Sequence, residues 1–216
     1  MKHRHADSLF IITTFITFSL LIGLFPAVSS PITFTGGYTK VNLEEGYKSM
    51  TLSGGAGVNT DNISLTADFI ELYGDNYRYV SCEGNVKASE TEKGISFSSP
   101  KLFYDRTNET VTSDSWIEIQ DNKNQVSLSG ARFEYDMRKS FMNLQMASKI
   151  IKVTDEGLMI CRADIIEYDG SNNTVTLKGN ASVNWNGNSY SAAMIAIDLN
   201  TNGITMYGDI SGEFNA

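Results

Sequence analysis

Few residues outside the first thirty positions could carry out acid–base or nucleophilic chemistry. The two histidines of the chain, His3 and His5, both lie near its start. The remaining sequence therefore cannot build a Ser-His-Asp triad, a Cys-His dyad or a His-ligated zinc site. The two cysteines, Cys82 and Cys161, have no metal-ligating neighbours at a recognised spacing. They could pair in an oxidising compartment or remain buried thiols, and the sequence leaves both open. We predict no catalytic residue, no metal and no cofactor.

Paired carboxylates are the remaining candidates for catalysis. Asp68 with Glu71, or Glu134 with Asp136, could serve a polysaccharide hydrolase or lyase on a β-scaffold. Glycosidase carboxylates must face each other across a cleft, and residues two or three apart on a strand do not. The sequence therefore favours a protein that is not an enzyme.

The elements that position these residues are β-strands. Apolar residues alternate with polar ones throughout the body of the chain, and no longer stretch has the helical period. Val175, Leu177, Ala181, Val183 and Trp185 share one predicted face, and Ile63, Leu65, Ala67 and Phe69 share another. Pro100 lacks an N–H group, so it predicts a strand start or an edge.

Hairpin turns recur at regular intervals between these strands. Each contains Asp, and most also contain Asn or Gly; these residues favour turns because their side chains bond the local backbone or because they tolerate left-handed conformations. The aspartates recur about every 31 residues, so each repeat contains two strands; they are Asp75, Asp105, Asp136, Asp169 and Asp198. The segment Ala67-Asp68-Phe69-Ile70-Glu71 also returns as Ala163-Asp164-Ile165-Ile166-Glu167. Such units must stack to bury their apolar faces, which predicts an elongated, folded all-β sheet.

The start of the chain has the pattern of an export signal. Lys2 and Arg4 precede an apolar run over residues 9–25, and Ala27-Val28-Ser29 fits a cleavage site. We predict a signal peptide over residues 1–29 and a single domain over residues 30–216. Residues 9–28 are also long enough to be an uncleaved membrane anchor. The net charge of −8 argues against binding to nucleic acid.

Three stretches resemble the OstA/LptA family of lipopolysaccharide-transport proteins. They share Gly-Asn-Val or a similar glycine-containing opening, an alternating strand and a hairpin. They are LSGGAGVNTDNISLTADFIELYG (52–74), CEGNVKASETEKGISFSSPKLFYDRTNETV (82–111) and LKGNASVNWNGNSYSAAMIAIDLNTNGITMYGDISG (177–212).

The resemblance implies a periplasmic β-jellyroll, open along one side, whose apolar interior shields the acyl chains of lipopolysaccharide. Such proteins are not enzymes, and they join one another and other jellyroll transport proteins through edge strands. The related LptC proteins have the same fold on an uncleaved N-terminal helix. We therefore expect an LptA-like lipid carrier between the inner and outer membranes, with homo-oligomers as a further expectation.

Large or flexible apolar side chains are the candidates for lipid contact, because an exposed methylene costs about 0.8 kcal/mol in water. The candidates are Phe97, Phe133, Met146, Met159, Ile165, Trp185, Met194 and Met206. Ordinary core packing would produce the same alternation, so both interpretations stay open. Ten cations, among them Lys93 and Lys152, could meet headgroup phosphates, although most are expected on a solvated face.

Two alternatives to the soluble carrier remain. The chain could be an LptC-like component anchored in the inner membrane by residues 9–28. It could also be an envelope scaffold with a filled core that pairs its edge strands with neighbours. The lipid could be lipopolysaccharide or a related glycolipid.

Overall fold

The alternating segments form sixteen strands that join one antiparallel sheet. A computed structural model describes residues 31–44, 46 and 48–215. The first eight strands are β1 Thr33–Thr35, β2 Tyr38–Asn42, β3 Ser49–Asn59, β4 Ser64–Tyr73, β5 Tyr79–Glu90, β6 Ile95–Asp105, β7 Thr110–Ser113 and β8 Ile117–Asp121. The other eight are β9 Val126–Gly130, β10 Arg132–Asp136, β11 Phe141–Thr154, β12 Gly157–Asp169, β13 Thr174–Trp185, β14 Asn188–Asp198, β15 Gly203–Tyr207 and β16 Ser211–Glu213. A single 3₁₀ turn, Asp75–Tyr77, is the only helical element of the described residues.

The long strands that follow one another in the chain are also neighbours in the sheet. The order runs from β1 and β2 through β3, β4, β5 and β6 to β11, β12, β13 and β14, and it ends at β15 and β16. Between β6 and β11 lie two interrupted strands, β7 with β8 and β9 with β10. Each two-strand repeat adds one hairpin to the sheet, which confirms the predicted repeat architecture.

The long strands change register near their middle. The pairing of β3 with β4 shifts between Ser53 and Ala56, and that of β13 with β14 shifts between Lys178 and Ala181. Similar shifts interrupt β5 with β6 and β11 with β12. We call the row of these interruptions the bulge line, because each has the extra residues of a β-bulge.

The bulge line divides the sheet into two half-sheets. The first half-sheet contains the strand segments around Val58, Ala88, Phe97, Ile119 and Val183. The second contains those around Leu72, Tyr104, Tyr135, Tyr168 and Ile197. The described residues form one compact unit in which the two half-sheets face each other across a single hydrophobic core.

Ring contacts show that the two half-sheets are in contact. Phe97 of the first half-sheet lies 5.7 Å from both Phe133 and Tyr135 of the second, measured between ring centroids. Neither residue is a strand partner of Phe97, which pairs with Ala88 and Ile119. The all-β folded sheet predicted from the sequence is therefore confirmed.

Two sequence-based predictions about strand faces and edges are wrong at the bulge line. Phe69 does not share the face of Leu65 and Ala67; it is exposed, and Ile70 is buried in its place. The extra residues of the bulges belong to the neighbouring strands β3 and β5, and β4 has no matching extra residue, so its alternation reverses where Asp68 and Phe69 are both exposed. Pro100 lies inside β6 rather than at a start or an edge. It is opposite the break between β7 and β8, where strand pairing is interrupted.

The predicted signal peptide over residues 1–29 and the alternative anchor over residues 9–28 lie outside the described residues. Within residues 31–44, 46 and 48–215, no helix is long and apolar enough to cross a bilayer.

Candidate functional site: the interior of the folded sheet

Inward-facing side chains of both half-sheets line the interior. From β3 to β14, alternation between bulges places every second residue inside, and the largest fully buried side chains include Tyr104, Tyr135 and Tyr168. Phe133 and Tyr135 are stacked at 6.4 Å, so Phe97, Phe133 and Tyr135 form one aromatic cluster. Most of the remaining lining is aliphatic. The lining is thus a continuous apolar surface from β3 to β14, with its side chains packed against one another.

Five of the eight predicted lipid-contact residues lie on the inner face. Phe97, Phe133 and Met159 belong to the buried core, with at most 3% exposure. Trp185 and Met206 are half-buried and pack against that core from its border. These five side chains therefore belong to the interior or to its border.

The other three predicted residues do not face the interior. Ile165 and Met194 are half-buried and precede the buried Ile166 and Ile195, so alternation directs them outward. Met146 lies in the bulge of β11 and is 64% exposed. Sequence alternation could not separate these residues from the lining, because the register shift within each strand is not visible in the spacing.

The Gly-Asn motif forms two of the bulges in the bulge line. Gly84 and Asn85 both have positive φ angles, of 75° and 47°, and Gly179 and Asn180 repeat this pair at 73° and 47°. Asn tolerates this left-handed region better than most residues, and glycine occupies it without strain. The Gly-Asn motif therefore occurs where two consecutive residues must adopt positive φ angles, and it does so in two repeats.

Each Asn of these bulges also bonds an aspartate on the preceding strand. Asn85 Nδ2 donates to Asp68 Oδ2 at 2.8 Å, and Asn180 Nδ2 donates to Asp164 Oδ2 at 2.8 Å. The repeated Ala-Asp segments and the repeated Gly-Asn segments are thus two halves of one structural unit. Asp68, considered above as a catalytic carboxylate, has this structural contact instead.

The border opposite the bulge line carries polar contacts between the half-sheets, and we call it the seam. The hydroxyl of Tyr135 donates to Glu90 Oε2 at 2.6 Å, and that of Tyr168 donates to Asp121 Oδ2 at 2.8 Å. The ammonium group of Lys93 bonds the carbonyl of Met137, and that of Lys152 bonds the carbonyl of Leu199. Burial and the neighbouring carboxylate raise the pKa of both tyrosines, so each phenol stays protonated and acts as the donor.

The turns of the second half-sheet bond one another along the seam. Arg106 Nη1 donates to the carbonyls of Asn76 and Tyr77, and Arg138 Nη2 donates to that of Thr107. The hydroxyl of Ser171 continues the series to the next turn. These bonds join consecutive repeats within the second half-sheet. The tyrosine and lysine contacts, in contrast, join the second half-sheet to the first.

Both cysteines are free and buried. Burial raises the pKa of each thiol to about 12. Since the thiolate is the reactive form, neither Cys82 nor Cys161 is suited to nucleophilic or redox chemistry in the folded protein. Within the described part of the chain, no three His, Cys, Asp or Glu side chains are grouped as metal ligands.

The two ends of the sheet present unpaired strand edges with apolar side chains. Among the described residues, β1 and β2 pair only with β3, and β15 and β16 pair only with β14. Large exposed side chains lie at both ends; they are Phe34, Tyr38, Val41 and Leu43 at the first, and Tyr207, Ile210 and Phe214 at the second. Such edges are templates for pairing with another strand.

The geometry thus defines a class of protein: a folded antiparallel sheet with an apolar lining, a polar seam and two open ends. Residues 145–203 match the sequence model of the family described as LptA/(LptD N-terminal domain) LPS transport protein. This match confirms the resemblance to the OstA/LptA-like family that the sequence motifs indicated.

Solved structures provide a second comparison. The chain is similar to LptH of Pseudomonas aeruginosa, described as the LptA-homologous periplasmic component of the conserved lipopolysaccharide transport device. The sequence identity is 13%, the alignment covers 87% of this chain and 96% of that one, and the TM-score is 0.29. No curated protein matches the chain.

Proposed function

We propose that this protein is a periplasmic lipid carrier that shields the acyl chains of lipopolysaccharide, or of a related glycolipid, between the inner and outer membranes. The observation that carries the proposal is the continuous apolar lining between two half-sheets, in a chain whose residues 145–203 match a lipopolysaccharide-transport family. Each acyl methylene transferred from water into such a lining stabilises the complex by about 0.8 kcal/mol.

The lipid contacts in this proposal are the inner-face residues Phe97, Phe133, Met159, Trp185 and Met206. Met159 and Met206 are flexible, so they can repack around acyl chains of different shape. The role is passive and non-enzymatic: the lining holds the lipid, and the energy for its movement comes from outside this chain. The partners are other jellyroll transport proteins, or further copies of this chain, at the edges formed by β1, β2, β15 and β16.

Native mass spectrometry tests this function, and it also tests whether the predicted signal peptide over residues 1–29 is cleaved. The full-length chain is expressed in a lipopolysaccharide-producing bacterium, and the periplasmic and membrane fractions are analysed separately. A processed, periplasmic species carrying acylated glycolipid is the result expected for the carrier. An unprocessed, membrane-bound species carrying it would instead assign the chain to the LptC-like anchored role.

A second candidate function is an envelope scaffold that binds no lipid. It is favoured by one specific observation: the interior is filled by its own side chains, most of them at most 3% exposed. Protein free of lipid in both fractions, together with concentration-dependent oligomers in light scattering, would support the scaffold and contradict the carrier.

A further inference from the structure

The seam contacts follow the same repeat as the strands. Tyr135 bonds a carboxylate 45 residues earlier in the chain, and Tyr168 bonds one 47 residues earlier. The two lysine contacts span 44 and 47 residues. Three hairpins of the first half-sheet, which contain Glu90 with Lys93, Asp121 and Lys152, are therefore each joined to a hairpin of the second half-sheet about one and a half repeats later. We call these four contacts between the half-sheets the rungs; they are Tyr135–Glu90, Tyr168–Asp121, Lys93–Met137 and Lys152–Leu199.

Two of these rungs contain buried carboxylates. Glu90 and Asp121 are 5% and 3% exposed, and both tyrosines are fully buried. Each carboxylate has further partners in its own turn: Lys93 lies 3.0 Å from Glu90, and Asn124 donates to Asp121 through its backbone and its side chain. Hydrogen bonds to charged acceptors are roughly twice as strong as neutral ones, so these two rungs are the strongest candidates for holding the half-sheets together.

The hydrogen bonds at the seam are of two kinds, and only one kind joins the half-sheets. The backbone bonds between neighbouring turns stay within one half-sheet, as from Asn122 to Gly94 and from Gly170 to Ser140. The tyrosine and lysine rungs run between the half-sheets. Separation at the seam would therefore break the rungs and leave the strand ladders intact.

The opposite border can accommodate such a movement. At the bulge line the strand pairing is already interrupted, and Gly54, Gly55, Gly84 and Gly179 provide left-handed backbone there. A small change of backbone angles in a few positions is sufficient for a hinge. The interior side chains, at most a few per cent exposed, must lose contact with one another before an acyl chain can enter.

We propose that the seam is the lateral opening through which acyl chains reach the interior, and that the Tyr135–Glu90 and Tyr168–Asp121 rungs are the latches that keep it closed. This inference rests on the proposed carrier function. It assigns to these four residues a role in admitting lipid rather than in contacting it, because their polar groups bond each other at the border of the lining.

The test compares the double variant Tyr135→Phe/Tyr168→Phe with the control variant Tyr104→Phe. Tyr104 occupies the equivalent repeat position and is almost as fully buried, but the side chain that neighbours its hydroxyl is that of Thr60, which is not a carboxylate. Two properties are measured: the rate at which the protein takes up lipopolysaccharide carrying a fluorescent acyl chain, and hydrogen exchange of the backbone amides in the seam turns.

For the double variant we expect uptake at least about tenfold faster than in the wild type, since each lost bond is to a charged acceptor. We expect faster exchange in turns 91–94, 122–125, 137–140 and 170–173, with exchange unchanged at Ile166, Leu177 and Val183, which lie between the seam and the bulge line. Tyr104→Phe should change the uptake rate by less than about threefold. If the double variant does not fold, Tyr135→Phe and Tyr168→Phe are measured singly. Glu90→Gln is a further substitute, because it removes the charge but keeps a hydrogen-bond acceptor for Tyr135.

Each other outcome points to a different error. If the wild type takes up lipopolysaccharide and the double variant does so no faster, the proposed role of the two tyrosine–carboxylate contacts is wrong. The proposed carrier function would be unaffected by that result. Faster exchange throughout every strand, with no faster uptake, would show that the tyrosines only stabilise the fold. Absence of uptake in every variant, including those with rapid seam exchange, would contradict the carrier function itself.

Discussion

Gly84 is a position at which both the backbone conformation and the close packing of a neighbour restrict the choice of residue. A side chain added at Gly84 would place its Cβ 2.9 Å from the Cβ of Asp68, in a left-handed conformation. Gly55 lies in the bulge of β3 with a similar φ angle of 80°, but no atom lies within 4 Å of the position of its Cβ. The two glycines therefore separate the cost of backbone strain from the cost of a steric clash.

We expect Gly84→Ala to lower the free energy of unfolding by about 2–4 kcal/mol, the sum of left-handed strain and overpacking. Gly55→Ala should lower it by about 1–2 kcal/mol, because only the strain applies. Urea denaturation followed by circular dichroism measures both. Equal losses in the two variants would show that Asp68 moves away freely and that its bond to Asn85 contributes little.

Some residue positions were predictable from the sequence and others were not. The inward face of β13 was predicted correctly from Val175 to Val183, because the extra residues of its bulge, Gly179 and Asn180, preserve the alternation across it. Phe69 was placed on the wrong face because the alternation in β4 reverses at Asp68 and Phe69, which are both exposed. The Gly-Asn pair was visible as a repeat, but its left-handed backbone and its aspartate partner depend on a neighbouring strand.

At the scale of single elements, the hairpins are the best-predicted features. The aspartates of four turns bond backbone N–H groups two or three residues later, as the turn chemistry indicated. Asp105 accepts hydrogen bonds from the N–H groups of Thr107 and Asn108. It also forms an ion pair with Arg78, whose Nη2 lies 2.7 Å from Asp105 Oδ2. The partner Arg78 could not have been predicted, because it belongs to the preceding turn and the contact requires the repeats to be stacked.

The ion pair at Asp105 predicts a specific dependence of stability on pH. The hydrogen bond from Arg78, together with those from the backbone, holds the pKa of Asp105 below its ordinary value. A lowered pKa in the folded state stabilises the protein above the ordinary pKa of about 4, and this stabilisation is lost as the pH falls through the folded value. Asp105→Asn should therefore be less stable than the wild type at pH 7, with the difference shrinking as the pH approaches 3.

Urea denaturation at a series of pH values measures this difference. Arg78→Gln provides the matched control, because it removes the partner that lowers the pKa while leaving the carboxylate in place. We expect it to reduce the same acid-dependent component of stability. A constant difference between Asp105→Asn and the wild type from pH 7 to pH 3 would show that the pair does not contribute through its charge.

At the scale of the whole molecule, the two unpaired edges predict association. Phe34, Tyr38 and Val41 at one end and Ile210 and Phe214 at the other expose apolar surface beside strand edges that have no partner within residues 31–44, 46 and 48–215. We expect sedimentation velocity to show species larger than the monomer that increase with protein concentration. Val41→Lys should reduce this association, since charged residues on edge strands oppose pairing.

The matched control for the edge variant is Val153→Lys. Val153 is similarly exposed, at 52% against 46%, but it belongs to β11, which is paired on both sides. A strict monomer at all concentrations would contradict edge pairing between copies of this chain. Equal loss of association in both variants would indicate that added charge alone, and not the edge, is responsible.

The alternation of apolar residues was sufficient to predict a folded sheet with a lined interior, but not whether that interior is filled. Packed sandwiches and lipid carriers have the same period of two, and the difference depends on the distance between the half-sheets. The structure shows contact across the interior, as between Phe97 and Tyr135. Tyr135 and Tyr168 each precede a repeated turn aspartate, but their seam partners could not be predicted, because the contacts join residues 44 to 47 positions apart.

The claim that acyl chains occupy this interior is tested most directly by two neighbouring methionines. Met206 is half-buried and packs against the core, whereas Met194 on the adjacent strand is half-buried and faces outward. Each is replaced in turn by p-benzoyl-phenylalanine in a lipopolysaccharide-producing bacterium, and the irradiated cells are analysed for protein crosslinked to lipopolysaccharide. The expected result is a crosslink at position 206 and none at position 194. Crosslinks at neither position, or at 194 alone, would contradict lipid transport through the interior.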